Sequence, residues 1–419
     1  YTLDWGSSDA DKKLHLLRKT TSPLNIVQRT IYDTRTATTE NPSTTLGLPE
    51  KTYTEATFVN DEGVTCHRFI AAETEYTEDK NYVSKTTDAR KKEVTTTTDT
   101  NRGVVTSVKD PKNQTVSYKY DDLNRVKMVY TADGDKAYLN QYVYVDDLLK
   151  EIRHNTTGNA ITDWESTESV TRADDVVYTF EYDDKNRRTG VKVGNQYLSS
   201  NKYNDTVGPQ YGVLARTIFG DPEEPCQVIN YTYDDFRRLK SMQYGSDASK
   251  KFSYEYGANG QVARVTNHEL NRVVLSEYDI SNRPMRATHL EGNTHVYTGE
   301  VTYDNHNNLA RFEESVGSDR ASYSTSFEYD EENKPERLKY NDSDSDKVEY
   351  TYDELGRIAK QTVTVDGHAS ETNYTYLAGA QTYTPEDAND AKPAYSTTGL
   401  IEHITQAGGN FTYTYDDNG

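Results

Sequence analysis

An all-β fold of repeated antiparallel hairpins is what this sequence predicts, and three observations predict it. The first is recurrence. The dipeptide Tyr-Asp begins at Tyr120, Tyr182, Tyr233, Tyr278, Tyr303, Tyr329, Tyr352 and Tyr415. From Tyr233 to Tyr352 the steps are 23, 22, 25, 26 and 23 residues if Tyr256, followed by Gly257, is a degenerate copy. A period in the low twenties means one small unit repeated. The second is alternation: in "FSYEY" (252–256), "VYTFEY" (177–182) and "VEYTY" (348–352) aromatic residues fall two apart, on one strand face. The third is turn chemistry at fixed offsets from each Asp.

That turn chemistry defines the unit. The Asp carboxylate can accept hydrogen bonds from amides just ahead of it and start a type I turn. Three residues on come Asn124, Asn186, Asn282, Asn307, Asn333 or Gly356, with Gly260 after Tyr256. These residue types tolerate positive φ, and Arg237 is the exception. One place further come Arg125, Arg187, Arg238, Arg283 and Arg357, with Asn308 and Lys334 as departures. A type I turn followed by a left-handed residue is a bulged hairpin loop.

Along the chain, residues 1–75 are degenerate repeats, with Tyr32-Asp33 isolated and 41–50 ("NPSTTLGLPE") reading as loop. Residues 76–419 form one continuous run of repeats. At its start Tyr76, Thr98 and Tyr120 keep steps of 22, with Thr98-Asp99 in the Tyr-Asp slot. Residues 244–251, 341–347 and 365–371 read as surface loops between hairpins. Helix is confined to a turn or two at 12–19 and 146–154. The chain opens and stops in mid-pattern and is expected to be a piece of something longer.

Composition narrows the class. Only 33% of residues are hydrophobic and the net charge is −21, a balance typical of disorder. The 35 tyrosines supply the missing area, with rings that bury and hydroxyls that hydrogen-bond. The expectation is an ordered protein with a thin core. Excess acid argues against a phosphate-backbone partner, and no apolar run is long enough for a membrane-spanning helix. Cys66 and Cys226, 160 residues apart, read as two separate thiols.

Chemical motifs are sparse. A catalytic site is made once, so Asp and Arg recurring in unit after unit are a structural pin, an ion pair or a guanidinium lying on Tyr. Asp342, Asp344 and Asp346 imitate the opening of a calcium loop, but Lys347 stands where that loop needs Gly. His289 and His295, six apart on one strand-period face, are the nearest approach to a metal pair. No cofactor, metal or enzymatic activity is expected. Within the 352–357 loop, Gly356 is expected to be sensitive to substitution and Glu354 indifferent.

Segments 103–126 ("GVVTSVKDPKNQTVSYKYDDLNRV"), 231–245 ("YTYDDFRRLKSMQYG") and 350–363 ("YTYDELGRIAKQTV") resemble the YD repeats of the Rhs family, a likeness covering about residues 50–419. The close of the chain, from Tyr374, resembles the late repeats of large secreted or wall-associated YD-repeat proteins of Gram-positive bacteria. The resemblance implies hairpins wound in a spiral to form part of a hollow β-shell that encloses a C-terminal toxin or other cargo of the same longer chain. It also implies an extracellular or cell-wall location. The family's self-cleaving Asp arrangement is not matched by "GDPEEP" (220–225) or "KDPKNQ" (109–114), and glycines the family favours are replaced by Lys91 and Asn113. The alternative expectation is an adhesin whose exposed tyrosines stack on cell-surface glycans.

Overall fold

The computed structural model describes residues 2–4, 16–33, 47–133, 136–155, 164, 173–317, 321–386, 390 and 392–419. Among them every regular element is a β-strand, 31 in number. The first nine are β1 (Thr2–Asp4), β2 (Lys19–Thr21), β3 (Val27–Tyr32), β4 (Pro49–Val59), β5 (Thr65–Tyr76), β6 (Val83–Thr87), β7 (Glu93–Asp99), β8 (Val104–Lys109) and β9 (Thr115–Tyr120). Next come β10 (Val126–Asp133), β11 (Lys136–Val145), β12 (Leu148–Asn155), β13 (Asp175–Tyr182), β14 (Arg188–Val193), β15 (Gln196–Tyr203), β16 (Leu214–Gly220) and β17 (Pro225–Tyr233). They are followed by β18 (Leu239–Tyr244), β19 (Lys251–Tyr256), β20 (Val262–Asn267), β21 (Arg272–Tyr278), β22 (Pro284–Glu291), β23 (Thr294–Tyr303) and β24 (Leu309–Val316). The last seven are β25 (Ala321–Tyr329), β26 (Pro335–Tyr340), β27 (Lys347–Tyr352), β28 (Ile358–Val365), β29 (His368–Ala378), β30 (Ala394–Gln406) and β31 (Gly409–Thr412).

The chain divides into two compact units, one made of residues 1–117 with 326–419 and the other of 118–325. The second unit is a meander. From β10 to β24 each strand pairs antiparallel with the next. Its core is thin: Met128, Ala137 and Leu139 are buried, with Tyr130 and Trp164 stacked against them.

The first unit is also built of antiparallel neighbours, with one departure. The N-terminal end of β30 pairs in parallel with β5, placing Ala394, Tyr395 and Ser396 opposite His67, Arg68 and Phe69. This seam joins strands more than 300 residues apart in sequence, as does the contact of His67 Nε2 with Asp390 Oδ2 at 2.9 Å. The best-buried cluster of the unit lies beside it: Tyr53, Phe69 and Ala71, with Tyr383 packed on both rings at 5.8 and 5.1 Å. Arg29 and Glu55 form a buried two-pronged ion pair there, both bonds 2.9 Å. Tyrosine and a satisfied ion pair thus do what aliphatic packing does in richer cores.

Local turns correct several expectations. Residues 146–154 hold no helix: Asp146 (φ 47°) and Asp147 (φ 66°) form a two-residue turn, and β12 follows at once. Two adjacent positive φ values match the twist of the flanking strands, which is why this turn closes hairpins. Asp366 and Gly367 do the same, so 368–371 belong to β29 rather than to a loop. Of the 12–19 segment, 12–15 lie outside the described residues and Lys19 opens β2. Of the 41–50 segment, 41–46 lie outside them and Pro49 opens β4. His289 and His295 sit on facing strands of one hairpin, turned by Gly292 at φ 62°, and not on one strand. The early repeats also turn twice per step of 22: Asp88 and Asp110 head turns of the same kind midway, with Lys91 (φ 63°) and Asn113 (φ 66°) in the left-handed slot.

Candidate functional site: the Tyr-Asp-Arg pin

The recurring residues converge on one construction, repeated. In the 233–239 turn, Asp234 Oδ1 accepts the N–H of Phe236 (3.0 Å) and of Arg238 (2.9 Å), and Oδ2 accepts Arg238 Nε at 2.7 Å. The same set of three bonds joins Asp121 to Arg125, Asp183 to Arg187, Asp279 to Arg283 and Asp353 to Arg357. Asn308 Nδ2 replaces the guanidinium on Asp304 at 3.0 Å. Asp330 keeps only the two backbone bonds, because Lys334 turns to Glu332 at 2.6 Å. The fourth residue of each turn is left-handed, φ between 60° and 80° at Asn124, Asn186, Arg237, Gly260, Asn282, Asn307, Asn333 and Gly356. Arg237 therefore adopts the conformation its residue type disfavours, with its N–H bonded to the Asp234 carbonyl and its guanidinium to Tyr211 O, both at 3.0 Å. The ladder slips by one residue beside Tyr182, Tyr233, Tyr256, Tyr278, Tyr303 and Tyr352.

The arginine has a second task, in the next hairpin. Arg238 lies 4.3 Å from the ring centroid of Tyr256, Arg283 lies 4.2 Å from that of Tyr303, and Arg357 lies 3.9 Å from that of Tyr376. Arg125 covers Tyr144 and Arg187 covers Tyr203 in the same way, at 4.3 and 4.5 Å. The covered tyrosine then donates its hydroxyl to the carbonyl just past that arginine. Tyr256 reaches Leu239 O (2.8 Å), Tyr303 reaches Pro284 O (2.9 Å), and Tyr376 reaches Ile358 O (2.9 Å). Tyr182, Tyr233, Tyr278, Tyr352 and Tyr415 make the equivalent bond to Leu149, Leu214, Val262, Pro335 and Ile401. Each Tyr-Asp-Arg set is thus one turn and one clamp between consecutive hairpins. A cation on a ring contributes roughly 0.5–1 kcal/mol at such half-exposed sites.

Sequence reading missed part of this set. Tyr76, which opens the steps of 22, is a clamp, and so are Tyr32, Tyr144, Tyr203 and Tyr376; the last three lack a following Asp and Tyr32 read as isolated. Asp33 also accepts backbone N–H groups, but from Gly47 and Leu48 at 3.1 and 3.2 Å, far ahead of it rather than two and four places on. The signal was spacing: most clamp hydroxyls reach a carbonyl 14 to 19 residues back. Tyr120 and Tyr329 end β9 and β25 beside Asp121 and Asp330. The final pair is clasped by basic side chains, with Arg90 donating to Asp416 O (2.9 Å), Lys92 on Asp417 (2.6 Å) and Lys112 on Asp416.

Five of these carboxylates, Asp121, Asp183, Asp234, Asp279 and Asp304, are held ionised. Removal from water disfavours the charge of Asp183, yet bonds from the Arg187 side chain and the Arg187 and Lys185 backbone outweigh it and bring its pKa down to about 2. Asp121, Asp234 and Asp304 are lowered against the same opposition, and Asp279 is lowered chiefly by the Arg283 N–H. An unfolded carboxylate near 3.8 takes up protons before these do. Stability is therefore fully present above the ordinary carboxylate value and is lost as pH falls towards 2. Thermal melts should show a midpoint flat from about pH 7 to 5 and falling steeply between about 4 and 2. A midpoint unchanged at the acid end contradicts the pin.

Among the described residues no group of three or more His, Cys, Asp or Glu is placed to hold a metal. In the 341–347 loop Asp344 pairs with Lys339 at 2.8 Å, and Asp346 accepts the Asp366 N–H at 2.9 Å. Cys66 is a buried free thiol and Cys226 an exposed one. Glu354, expected to be indifferent, ion-pairs with Arg68 at 2.7 Å, because this turn is docked where others are open. Leu355 is 7% exposed, against 80% for Phe236 in the matching position.

No family model matches the chain. A curated relative, the tRNA3(Ser)-specific nuclease WapA of Bacillus spizizenii, is 25% identical over 216 residues, spanning 46% of this chain and 9% of the relative. Among solved structures, a chain of the Photorhabdus luminescens Tc holotoxin pore with mutated TccC3 matches at TM-score 0.32 and 11% identity. That match covers 94% of this chain and 27% of the other. A TcdB2–TccC3 crystal structure gives TM-score 0.30 and 10% identity over 94% and 28% of the two chains. A porin-like protein from Bacteroides uniformis gives 0.20 and 12%, over 62% and 87%. The chain spans less than a tenth of WapA and less than a third of the Tc toxin chains.

Proposed function

We propose that this chain is wall: a YD-repeat segment of the Rhs type whose work is to enclose a toxin or other cargo domain of the same longer protein, outside the cell or at its wall. It performs no catalysis and carries no cofactor. The observation that supports this best is where the recurring chemistry goes. The recurring residues of each repeat are used to hold hairpin to hairpin, through Asp-Arg bonds, Arg-Tyr stacking and Tyr-carbonyl bonds. A sheet extended by identical clamps gives area without a deep core, which suits a barrier. The β5–β30 seam adds a pairing between distant strands, as a wall that returns on itself requires. An excess of 21 negative charges would retain a basic cargo, and a nuclease such as the one WapA is named for is one cargo of that class.

The test is protease treatment of the longer protein carrying its own C-terminal domain. Enclosure expects that domain to survive while residues 76–419 are intact, and to be digested at least tenfold faster once they are deleted. Equal digestion of both proteins rejects enclosure and leaves the adhesin as the reading to pursue.

A further inference from the structure

We propose that one edge of the second unit is a docking surface for a basic row of β-hairpin turns supplied by the longer protein. The precedent lies inside the first unit. Three of its late Tyr-Asp turns seat the residues just after the Asp on an earlier turn or strand. Glu332 lies against the turn at 22–26, its side chain 7% exposed. Glu354 pairs with Arg68 at 2.7 Å, and Leu355 beside it is buried. Asp417 pairs with Lys92 at 2.6 Å, and Asn418 donates to Asp110 at 2.9 Å. In the last two seats an acid one place after the Asp meets a base, and the next residue packs behind it.

The second unit repeats these tips and leaves them open. Its Tyr-Asp turns close β13–β14, β17–β18, β21–β22 and β23–β24, connections that fall on the same edge of the meander. Bonds between neighbouring turns make that edge continuous. Arg187 reaches Asp205 at 2.8 Å, Arg237 reaches Tyr211 O at 3.0 Å, and Arg283 reaches Asn307 at 2.7 Å. Asp122-Leu123 and Asp235-Phe236 hold the places of Glu354-Leu355. Yet Leu123 is 64% exposed, Phe236 80%, and Ile280, one place after Asp279, fully. Asp122 and Asp235 are exposed and, among the described residues, unpaired. A single exposed apolar side chain needs no explanation. The same tip buried elsewhere in the same chain supplies one.

Charge and occupancy choose the partner. The receiving groups of this chain are already taken: Ile26 by the Gly356 turn, Arg68 by Glu354, and Arg90, Lys92 and Lys112 by the final pair. The opposite edge of the second unit turns on Asp221, Glu223, Glu224 and Asp247, so a second copy would set acid against acid. The partner is therefore a further row of turns, with Arg or Lys at its tips and an aliphatic side chain beside them, as Arg68 and Ile26 are in the first unit. This inference rests on the reading of the chain as part of a longer wall, and not on what that wall encloses.

The experiment times maleimide labelling of Leu123→Cys, Phe236→Cys and Leu355→Cys, each in a Cys226→Ser background that leaves only the buried Cys66. Three proteins are compared: the 419-residue chain, the longer protein, and the longer protein without its C-terminal domain. Leu123→Cys and Phe236→Cys should label fast in the first and at least tenfold more slowly in the other two. Leu355→Cys should be slow in all three. Adding Asp235→Arg to Phe236→Cys should restore fast labelling in the longer protein, whereas adding Glu331→Arg should not. Equal rates in all three proteins overturn the inference, and leave enclosure to be decided by the protease test. Slow labelling that requires the C-terminal domain gives the tips to the cargo and overturns it as well. So does labelling of the 419-residue chain that slows between about 1 and 100 μM, which would put a second copy on the edge. A charge reversal without effect removes the basic partner.

Discussion

Arg29→Ala is expected to destabilise the first unit by roughly 3–5 kcal/mol, the range for removing one partner of a buried pair. Arg29 and Glu55 are 5% and 7% exposed and share two 2.9 Å bonds. The guanidinium also lies 4.2 Å over Tyr53 and donates to Thr384 O at 2.9 Å. Its loss leaves a carboxylate buried among aromatic rings and frees the segment that carries Thr384 and Tyr383 from the cluster. Replacing both members, Arg29→Met with Glu55→Leu, should restore much of the loss, since no charge is then stranded. Urea titrations of the two variants decide the matter. A single mutant as stable as the parent, or a double mutant worse than the single, shows that the pair does not behave as a buried ion pair.

Gly356→Val should be the costliest change in any Tyr-Asp turn. The residue sits at φ +76°, where a β-branched side chain adds strain on the order of 1–3 kcal/mol. It is also hemmed in: a Cβ there would meet Lys334 Nζ and would lie 2.9 Å from Ile26 Cδ1. Overpacking adds about 1–3 kcal/mol more. Asn186→Val, at φ 60° on an exposed turn, should show the strain alone. Glu354→Ala is no silent control, given its pairing with Arg68. The exposed Glu331 holds the matching position in the preceding repeat, and Glu331→Ala should leave the urea midpoint where it was. Equal midpoints for Gly356→Val and Glu331→Ala contradict the left-handed turn.

The parts of this molecule that were legible in the sequence are those written within six residues. Tyr-Asp, the left-handed residue and the arginine announce strand, turn and bulge together, because a carboxylate can reach amides two and four places ahead whatever the tertiary setting. The partner of each arginine was not legible. Ring and guanidinium meet across hairpins joined by linkers of varying length, and Tyr144, Tyr203 and Tyr376 carry no Asp to mark them. The 146–154 stretch failed for a related reason. Its Leu and Ile spacing suits a helix turn, but paired left-handed aspartates commit it to a hairpin before helical spacing can act. The seam was invisible, since nothing near Arg68 in sequence points to Tyr395.

That seam has a consequence in time. Residues 118–325 are contiguous, so their unit can assemble as soon as it has been synthesised, from contacts between neighbours. The other unit cannot, because its best-buried cluster needs Tyr383, and its parallel ladder needs residues 394–396. The first hundred residues therefore wait, with Phe69 and Tyr53 uncovered, until residues 383–396 have left the ribosome. Long-range pairing of this kind is slow to form, and the exposed interval is when such a chain is open to aggregation. An acidic sequence with few aliphatics is well suited to survive that wait in solution. The same charge and tyrosine content that thin the finished core also keep its unfinished half dispersed until the last strands arrive.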